Sequence, residues 1–223
     1  MALVMKKRSK KAGLGPGSLI HIGETYAEKS RMTLLRYDET FLVEKELRGA
    51  EELREQQKEP GILWLNVDGL QDVKLLEEIG KIFGLHALIL EDILNTDQRP
   101  KAEDFTDYIY IVLKNFSRPP GETLRADQVS IILGNHFVLS FREKESSLFD
   151  PICERLRIQK GRIRKAGADY LAHHLLDAIV DQYFGVLENI EDRIEELEDE
   201  LIRQTTPANQ FILQFLDPED ELE

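Results

Sequence analysis

The stretch HALILEDILNTDQRPK, His86 to Lys101, decides how the rest of the chain is read. Leu85, Leu88, Ile89, Ile93 and Leu94 recur at steps of three, four or one, the pattern of a short helix with one buried side. Two adjacent carboxylates, Glu91 and Asp92, fall at the edge of that side. Pro100 disfavours helical angles at Arg99, so the helix is expected to stop before it and hand over to extended chain. The acids therefore belong to a rigid element close to a strand. An exposed acid pair on a helix ordinarily does no more than solvate it, so the surrounding elements must say whether this pair does anything else.

Upstream, Met32 to Tyr37 and Thr40 to Glu44 read as two short strands in a hairpin around Asp38 and Glu39. A Glu-rich segment from Glu46 to Lys58 reads as a solvent-facing helix ended by Pro60 and Gly61. ILWLNV, Ile62 to Val67, has the continuous apolar character of a strand buried on both faces. Asp72 to Phe83 is amphipathic, with Val73, Leu76, Ile79, Ile82 and Phe83 on one side and Gly84 as its stop.

Beyond Pro100 the period becomes two. Tyr108 to Phe116, Gln128 to Leu133 and His136 to Arg142 are strand candidates; Pro119, Pro120 and Gly121 break the first pair, and Gly134-Asn135 makes a tight hairpin of the last two. Ser147 to Lys160 reads as a helix with Asp150 and Pro151 near its first turn. The fold expected is α/β: an α/β/α sandwich with a mixed β-sheet, followed by a long acidic heptad helix.

That last helix is expected over Ala168 to Arg203. Leu176, Val180, Tyr183, Leu187, Ile190, Ile194, Leu197 and Leu201 alternate steps of four and three, a coiled-coil seam that needs a partner helix. The opposite face carries Glu188, Glu191, Asp192, Glu195, Glu196, Glu198, Asp199 and Glu200 against Arg193. Such a run is a solvated face, or one that repels itself until cations screen it. The organisation expected is a flexible basic tail at 1–17, an α/β/α domain at 18–166, the long helix at 167–204 and an irregular tail or artificial chain end at 205–223.

With 223 residues, 42% hydrophobic and 32% charged, the composition is that of an ordinary globular chain. A formal net charge of -13 argues against nucleic acid as a partner and suits cations. The one cysteine, Cys153, fits a reducing compartment and reads as a small core residue. No stretch reaches the run of about 18 to 20 apolar residues that a membrane helix needs. The basic start, MALVMKKRSKKAGLGPG, lacks the apolar core of a signal peptide and reads as a disordered arm or a contact for anionic lipid. No phosphate-binding glycine loop or nucleophile motif is present, and no enzyme is expected. His173, His174 and Asp177 have spacings that zinc could use, although a helical His pair is more often a packing feature.

Taken together, LEDILNTDQRPK, the Tyr108 to Phe116 strand with Lys114, QVSIIL, FDPICERLR, IRKAGADYL, LLDAIVDQYF and the acidic heptad helix resemble the cytoplasmic N-terminal domain of CorA-type magnesium and cobalt channels. The resemblance runs from Thr33 to Ile202. It implies a domain on the cytoplasmic side of the cell membrane, below a homopentameric pore, with Mg2+ or Co2+ bound between subunits and favouring the closed state. By the same resemblance Asp92 is the sensing acid, Glu91 contributes to a second site, and Asp177 supplies a further ligand; Asp181 matches no such position. The chain departs from the family's pattern in having no membrane helices and no Gly-Met-Asn pore signature, so it is not expected to conduct an ion by itself. The facing acid of the family comes from a later stalk helix that has no counterpart here. Two other readings stand beside this one: a soluble oligomeric adaptor that reuses the fold, and the regulatory domain of a zinc-transporting relative.

Overall fold

The structure, a computed structural model, describes residues 19–21, 30–117 and 124–203. The expected tails at 1–17 and 205–223 and the Pro119-Pro120-Gly121 break lie outside these residues. Seven strands form one sheet: β1 (Arg31–Tyr37), β2 (Leu42–Leu47), β3 (Ile62–Asp68), β4 (Lys101–Asp104), β5 (Tyr108–Ser117), β6 (Arg125–Gly134) and β7 (Phe137–Arg142). Their order is β2-β1-β3-β7-β6-β5-β4. Every pairing is antiparallel except β3 with β7, so the sheet is mixed, as expected.

Among the described residues the α-helices are α1 (Ala50–Gln57), α2 (Val73–Phe83), α3 (Ala87–Leu94), α4 (Asp150–Arg157) and α5 (Ala168–Arg203). Side-chain parity divides them between two faces. Met32, Leu34, Leu63, Leu65, Val67, Tyr110, Val112, Ile132, Leu139 and Phe141 pack in one cluster with Leu53 of α1, Leu76 and Ile79 of α2, and Ile89, Leu90 and Ile93 of α3. The alternate residues face the other way, where Trp64 meets Phe149 edge to face at 5.9 Å, next to α4. Strand β3 is buried from Leu63 onward, as its apolar run predicted. Burying a side chain of this size contributes about 1.5–3 kcal/mol, so the two faces of this strand carry a large share of the core.

Local chemistry sets the helix ends. Asp72 caps α2 by accepting a 3.0 Å hydrogen bond from Leu75 N, and Gly84 ends it in the left-handed conformation at φ 65°. Gly80 lets α3 lie close against α2: a Cβ there would stand 2.5 Å from Leu90 Cδ1. Pro151 sits in the first turn of α4, which a 3-10 turn at Ser147–Phe149 precedes, so the single helix expected over Ser147 to Lys160 is two shorter pieces.

Two further boundaries and one inward position differ from expectation. Strand β2 runs to Leu47 and α1 starts only at Ala50, because the ladder with β1 continues through Leu34↔Lys45, Thr33↔Glu46 and Met32↔Leu47 and outweighs the helical preference of the glutamates. Helix α3 ends at Leu94, before Pro100 as expected, but Leu88 is 47% exposed while Leu90 takes the inward position. Lys101–Asp104, read only as extended chain, is the edge strand β4; it has no apolar alternation and is held by backbone pairing to β5.

The compact α/β unit extends through Val180, and α5 buries Ala168, Leu171, Ala172, Leu175 and Ile179 within it. From Asp181 onward the same helix belongs to a second unit, in which Phe184, Leu187, Ile190, Ile194 and Leu197 are exposed. Cys153 is half-buried, and burial pushes its thiol up to about 11, so it is an unreactive filler.

On the α4 side of the sheet, Arg142 grips Asp68 with Nε to Oδ1 at 2.7 Å and Nη2 to Oδ2 at 3.1 Å, both residues being buried. Arg142 also donates to Ser146 O at 2.9 Å and lies 5.0 Å from the Phe149 ring, tying the end of β7 to the approach to α4. Burial pushes the Asp68 carboxyl up against the opposing pull of the guanidinium. Arg142→Met should therefore cost about 3–5 kcal/mol by leaving a buried carboxyl unpaired, and Asp68→Leu added to it should recover most of that loss. Urea midpoints of the native, single and double variants check this; additive losses would show that the pair is not coupled.

Candidate metal site at the end of helix α3

Helix α3 begins at His86, whose Nδ1 accepts from Leu88 N at 3.2 Å and whose backbone N donates to Tyr108 Oη at 3.0 Å. About one and a half turns later the helix delivers Glu91 and Asp92, both half-buried, with the Asp92 backbone over Gln128 of β6. The loop after it is fastened from below. Gln128, 1% exposed on β6, donates through Nε2 to Asp92 O at 3.0 Å and accepts through Oε1 from Gln98 N at 3.2 Å. Lys114 of β5 donates to Thr96 O at 2.8 Å. Gln128 is itself anchored, its backbone N donating to Glu143 Oε1 at 2.6 Å. With these ties the last turn of α3 and the first residues after it have little freedom.

The Asp92 carboxylate is held at both oxygens. Oδ1 accepts from Gln98 Nε2 at 2.8 Å and Oδ2 accepts from Lys101 Nζ at 2.6 Å. The same ammonium donates to Glu103 Oε1 at 2.8 Å and stands 5.6 Å from the Tyr110 ring centre. Burial pulls the Lys101 ammonium down, but its hydrogen bonds to Asp92 and Glu103 more than offset this and its pKa is raised. Asp92 retains 23% side-chain exposure, and each of its oxygens has a further lone pair beyond the hydrogen bond described.

Asp177 lies exposed on α5 in the α/β unit. Glu91 and Asp92 are brought together by their helix, but no group of three or more His, Cys, Asp or Glu side chains that could hold a metal forms among the described residues, so Asp177 does not join them within one chain. Glu91 and Asp92 fit Mg2+ in kind: it takes oxygen ligands and keeps several waters, so one or two carboxylates per chain suffice for a weak site. Lys101, Gln98 and Gln128 were not singled out from sequence as part of this site. Gln128 could have been found by its even parity in QVSIIL, which puts an amide on the apolar helix-bearing face.

The histidines behave differently. Arg155 Nη1 and Nη2 lie 3.5 and 3.4 Å from His174 Nδ1 and Nε2, and the Tyr170 ring meets the imidazole edge-on at 4.5 Å. A cation at either ring nitrogen would face a guanidinium, which disfavours the zinc spacing noted above. A cavity of about 790 Å³, lined by Tyr37, Gly61, Phe83, His136, Phe137 and Arg164, includes none of Glu91, Asp92 or Asp177.

Comparison with known proteins places the chain in a family. The family model for CorA-like Mg2+ transporter protein matches residues 59–216. The cobalt/magnesium transport protein CorA of Thermotoga maritima is 40% identical over 200 residues, covering 89% of this chain and 57% of that protein. A putative metal ion transporter of Bacillus subtilis, YfjQ, is 32% identical over 149 residues, 65% of this chain and 44% of that one. The chain belongs to the CorA family, and it spans about half the length of these curated relatives. Its fold is that of the soluble domain of CorA from Methanocaldococcus jannaschii (TM-score 0.58, 20% identity, 84% of this chain and 69% of that one). The cytoplasmic domain of ZntB from Vibrio parahaemolyticus has the same fold at TM-score 0.56 and 14% identity, covering 77% of this chain and 64% of that one. Among the described residues no helix is long and apolar enough to cross a membrane.

Burial lowers the His174 pKa, with Arg155 and His173 adding to the effect and Asp177 opposing it. The unfolded chain then takes up the proton first as pH falls, so this contribution to stability is complete above the ordinary value of 6.5 and is lost as pH drops through and below it. His174→Gln should flatten the stability profile between pH 7.5 and 5.5, and Arg155→Met should raise the His174 titration seen in ring-proton NMR. A His174 titration unmoved by Arg155→Met would remove the guanidinium from the account.

Proposed function

We propose that this chain is the cytoplasmic, cation-sensing part of a magnesium and cobalt channel, in which Mg2+ held by carboxylates of neighbouring copies favours the closed pore. The observation that carries the reading is the Asp92 carboxylate, held by Gln98 and Lys101 on a backbone that Gln128 fastens, yet still partly open to solvent. Identity of 40% to a cobalt/magnesium transport protein supports that choice of ion.

In this reading Asp92 and Glu91 offer part of a hydrated Mg2+ site, Asp177 offers another ligand, and a second copy in a pentamer supplies the remainder. When Mg2+ is scarce nothing bridges the carboxylates of neighbouring copies, and the copies separate. Binding favours whichever arrangement brings the acids together, which is the difference in affinity that a switch requires. In this reading the membrane-spanning pore is formed by the part of the relatives that this chain does not cover.

The test is thermal unfolding and sedimentation of the chain in chelator and then in rising Mg2+, with Co2+ and Ca2+ for comparison. At about a hundredfold over the dissociation constant Mg2+ should stabilise the native state by about 2.7 kcal/mol, several degrees at this size, and should shift the chain toward larger assemblies. Asp92→Ala should abolish both responses and leave the far-ultraviolet circular dichroism unchanged. A response that survives Asp92→Ala would remove Asp92 from the site.

A further inference from the structure

The acid expected to receive the cation already has one, supplied by its own chain. Lys101 is the first residue of the edge strand β4, and its pairing with Val112 puts its side chain on the face of the sheet that carries α3. From there Nζ reaches Asp92 Oδ2 at 2.6 Å and Glu103 Oε1 at 2.8 Å. Its side chain is 29% exposed and that of Asp92 23%, so the pair is neither freely solvated nor sealed.

We propose that Lys101 is a built-in competitor for the metal at Asp92, a residue that sets the concentration at which a divalent cation occupies the site. The inference rests on the reading of Asp92 as a metal ligand and adds to it the residue that tunes its affinity. A dication approaching Asp92 must displace the ammonium from Oδ2 or bind beside it, and like charges a few ångströms apart repel strongly in a partly desolvated setting. Exchange is feasible because Glu103 Oε1 at 2.8 Å and the Tyr110 ring, 5.6 Å from Nζ, can retain the ammonium after it leaves Asp92. Gln98 stays on Oδ1 meanwhile, so the carboxylate keeps its orientation whichever cation it holds. With no metal bound, Lys101 neutralises Asp92 and fastens β4 to α3. The acid is thus paired in both states, and the free energy separating them is reduced. A site arranged in this way responds to abundant cations and ignores scarce ones.

Lys101→Met keeps the aliphatic stem near Tyr110 and removes the charge; Lys101→Gln is a second neutral variant should the first fold poorly. Free Mn2+, read by its electron paramagnetic resonance signal, is titrated into the native full chain, Lys101→Met, Lys101→Gln, Lys101→Arg, Asp92→Asn and the double variant Lys101→Met/Asp92→Asn, with Mg2+ added in competition. The expected result is Asp92-dependent binding with a midpoint at least about tenfold lower in the neutral variants than in the native chain, and native-like in Lys101→Arg. Binding that Asp92→Asn removes but that the neutral variants leave unchanged overturns the role of Lys101 while sparing Asp92. A gain that persists in the double variant overturns it as well, because the charge then acts elsewhere. Identical isotherms for the native chain, the neutral variants and Asp92→Asn overturn both the competitor and the Asp92 reading.

Discussion

The parallel pairing of β3 with β7 is the constraint on which the rest of the α/β unit depends. Parallel neighbours cannot be joined by a hairpin, so the chain leaving β3 must travel the length of the sheet and return before β7 is laid down. On the way it makes α2, α3, β4, β5 and β6. Both helices settle on the face that Leu63, Leu65 and Val67 present, and the three following strands extend the sheet outward to the β4 edge. Helix α3 consequently ends above β5 and β6, and the loop that follows must descend to the edge within a few residues. The place of Asp92 over Gln128, Lys114 and Lys101 is a product of that route.

Two ion pairs of this unit, Asp68 with Arg142 and Asp92 with Lys101, differ in what they can do, and solvation decides the difference. Asp68 and Arg142 are buried and joined by two hydrogen bonds; separating them would strand a charge in a poorly solvating interior, a loss of several kcal/mol. That pair is a fixed structural fastening. Asp92 and Lys101 keep about a quarter of their side-chain surface in water, so exchanging one cation for another costs far less. Rigidity at the second site comes instead from groups that no ion needs to displace: Gln128 on the backbone of Asp92 and Gln98, and Lys114 on the backbone of Thr96. Positioning and charge compensation are therefore carried by different residues, which lets the second change while the first persists.

Much of the fold was legible because the strong periodic signals coincide with burial. The ILWLNV run, the period-two strands after Pro100 and the α2 stripe with Gly84 after it all correspond to elements seen, and the tight hairpin between β6 and β7 is present but turns at Asn135-His136, one residue beyond the Gly134-Asn135 expected. Backbone pairing that carries no side-chain signature was not legible: β4 has a single half-buried residue, and β2 continues through glutamates that favour helix. The seam read on α5 is exposed in the second unit at Leu187, Ile190, Ile194 and Leu197, while the stripe buried within the α/β unit is Leu171, Leu175 and Ile179. Both stripes are apolar, and the spacing of one helix does not say which of them meets its own domain. At the candidate site the acids were legible as an anomaly in an apolar helix. Lys101 was not, because its partnership depends on the register of β4 against β5, which only the completed sheet fixes.

An edge lysine has a common explanation that needs no ligand. Charged side chains on an exposed outer strand discourage pairing with another sheet, and KAED, mostly exposed, suits that role. Orientation separates the two explanations. Lysine deters edge-to-edge pairing best when its charge stands out in solvent beside the unpaired backbone. Here the side chain folds inward, toward α3, and makes two carboxylate contacts under 3 Å. Alternation along the strand gives the same inward direction to Glu103, which lies opposite Tyr110, and leaves Ala102 and Asp104 on the other face. An acid, a lysine and a second acid are thus gathered on one side of a four-residue strand. Edge protection would be served as well by the opposite register; compensation of Asp92 would not.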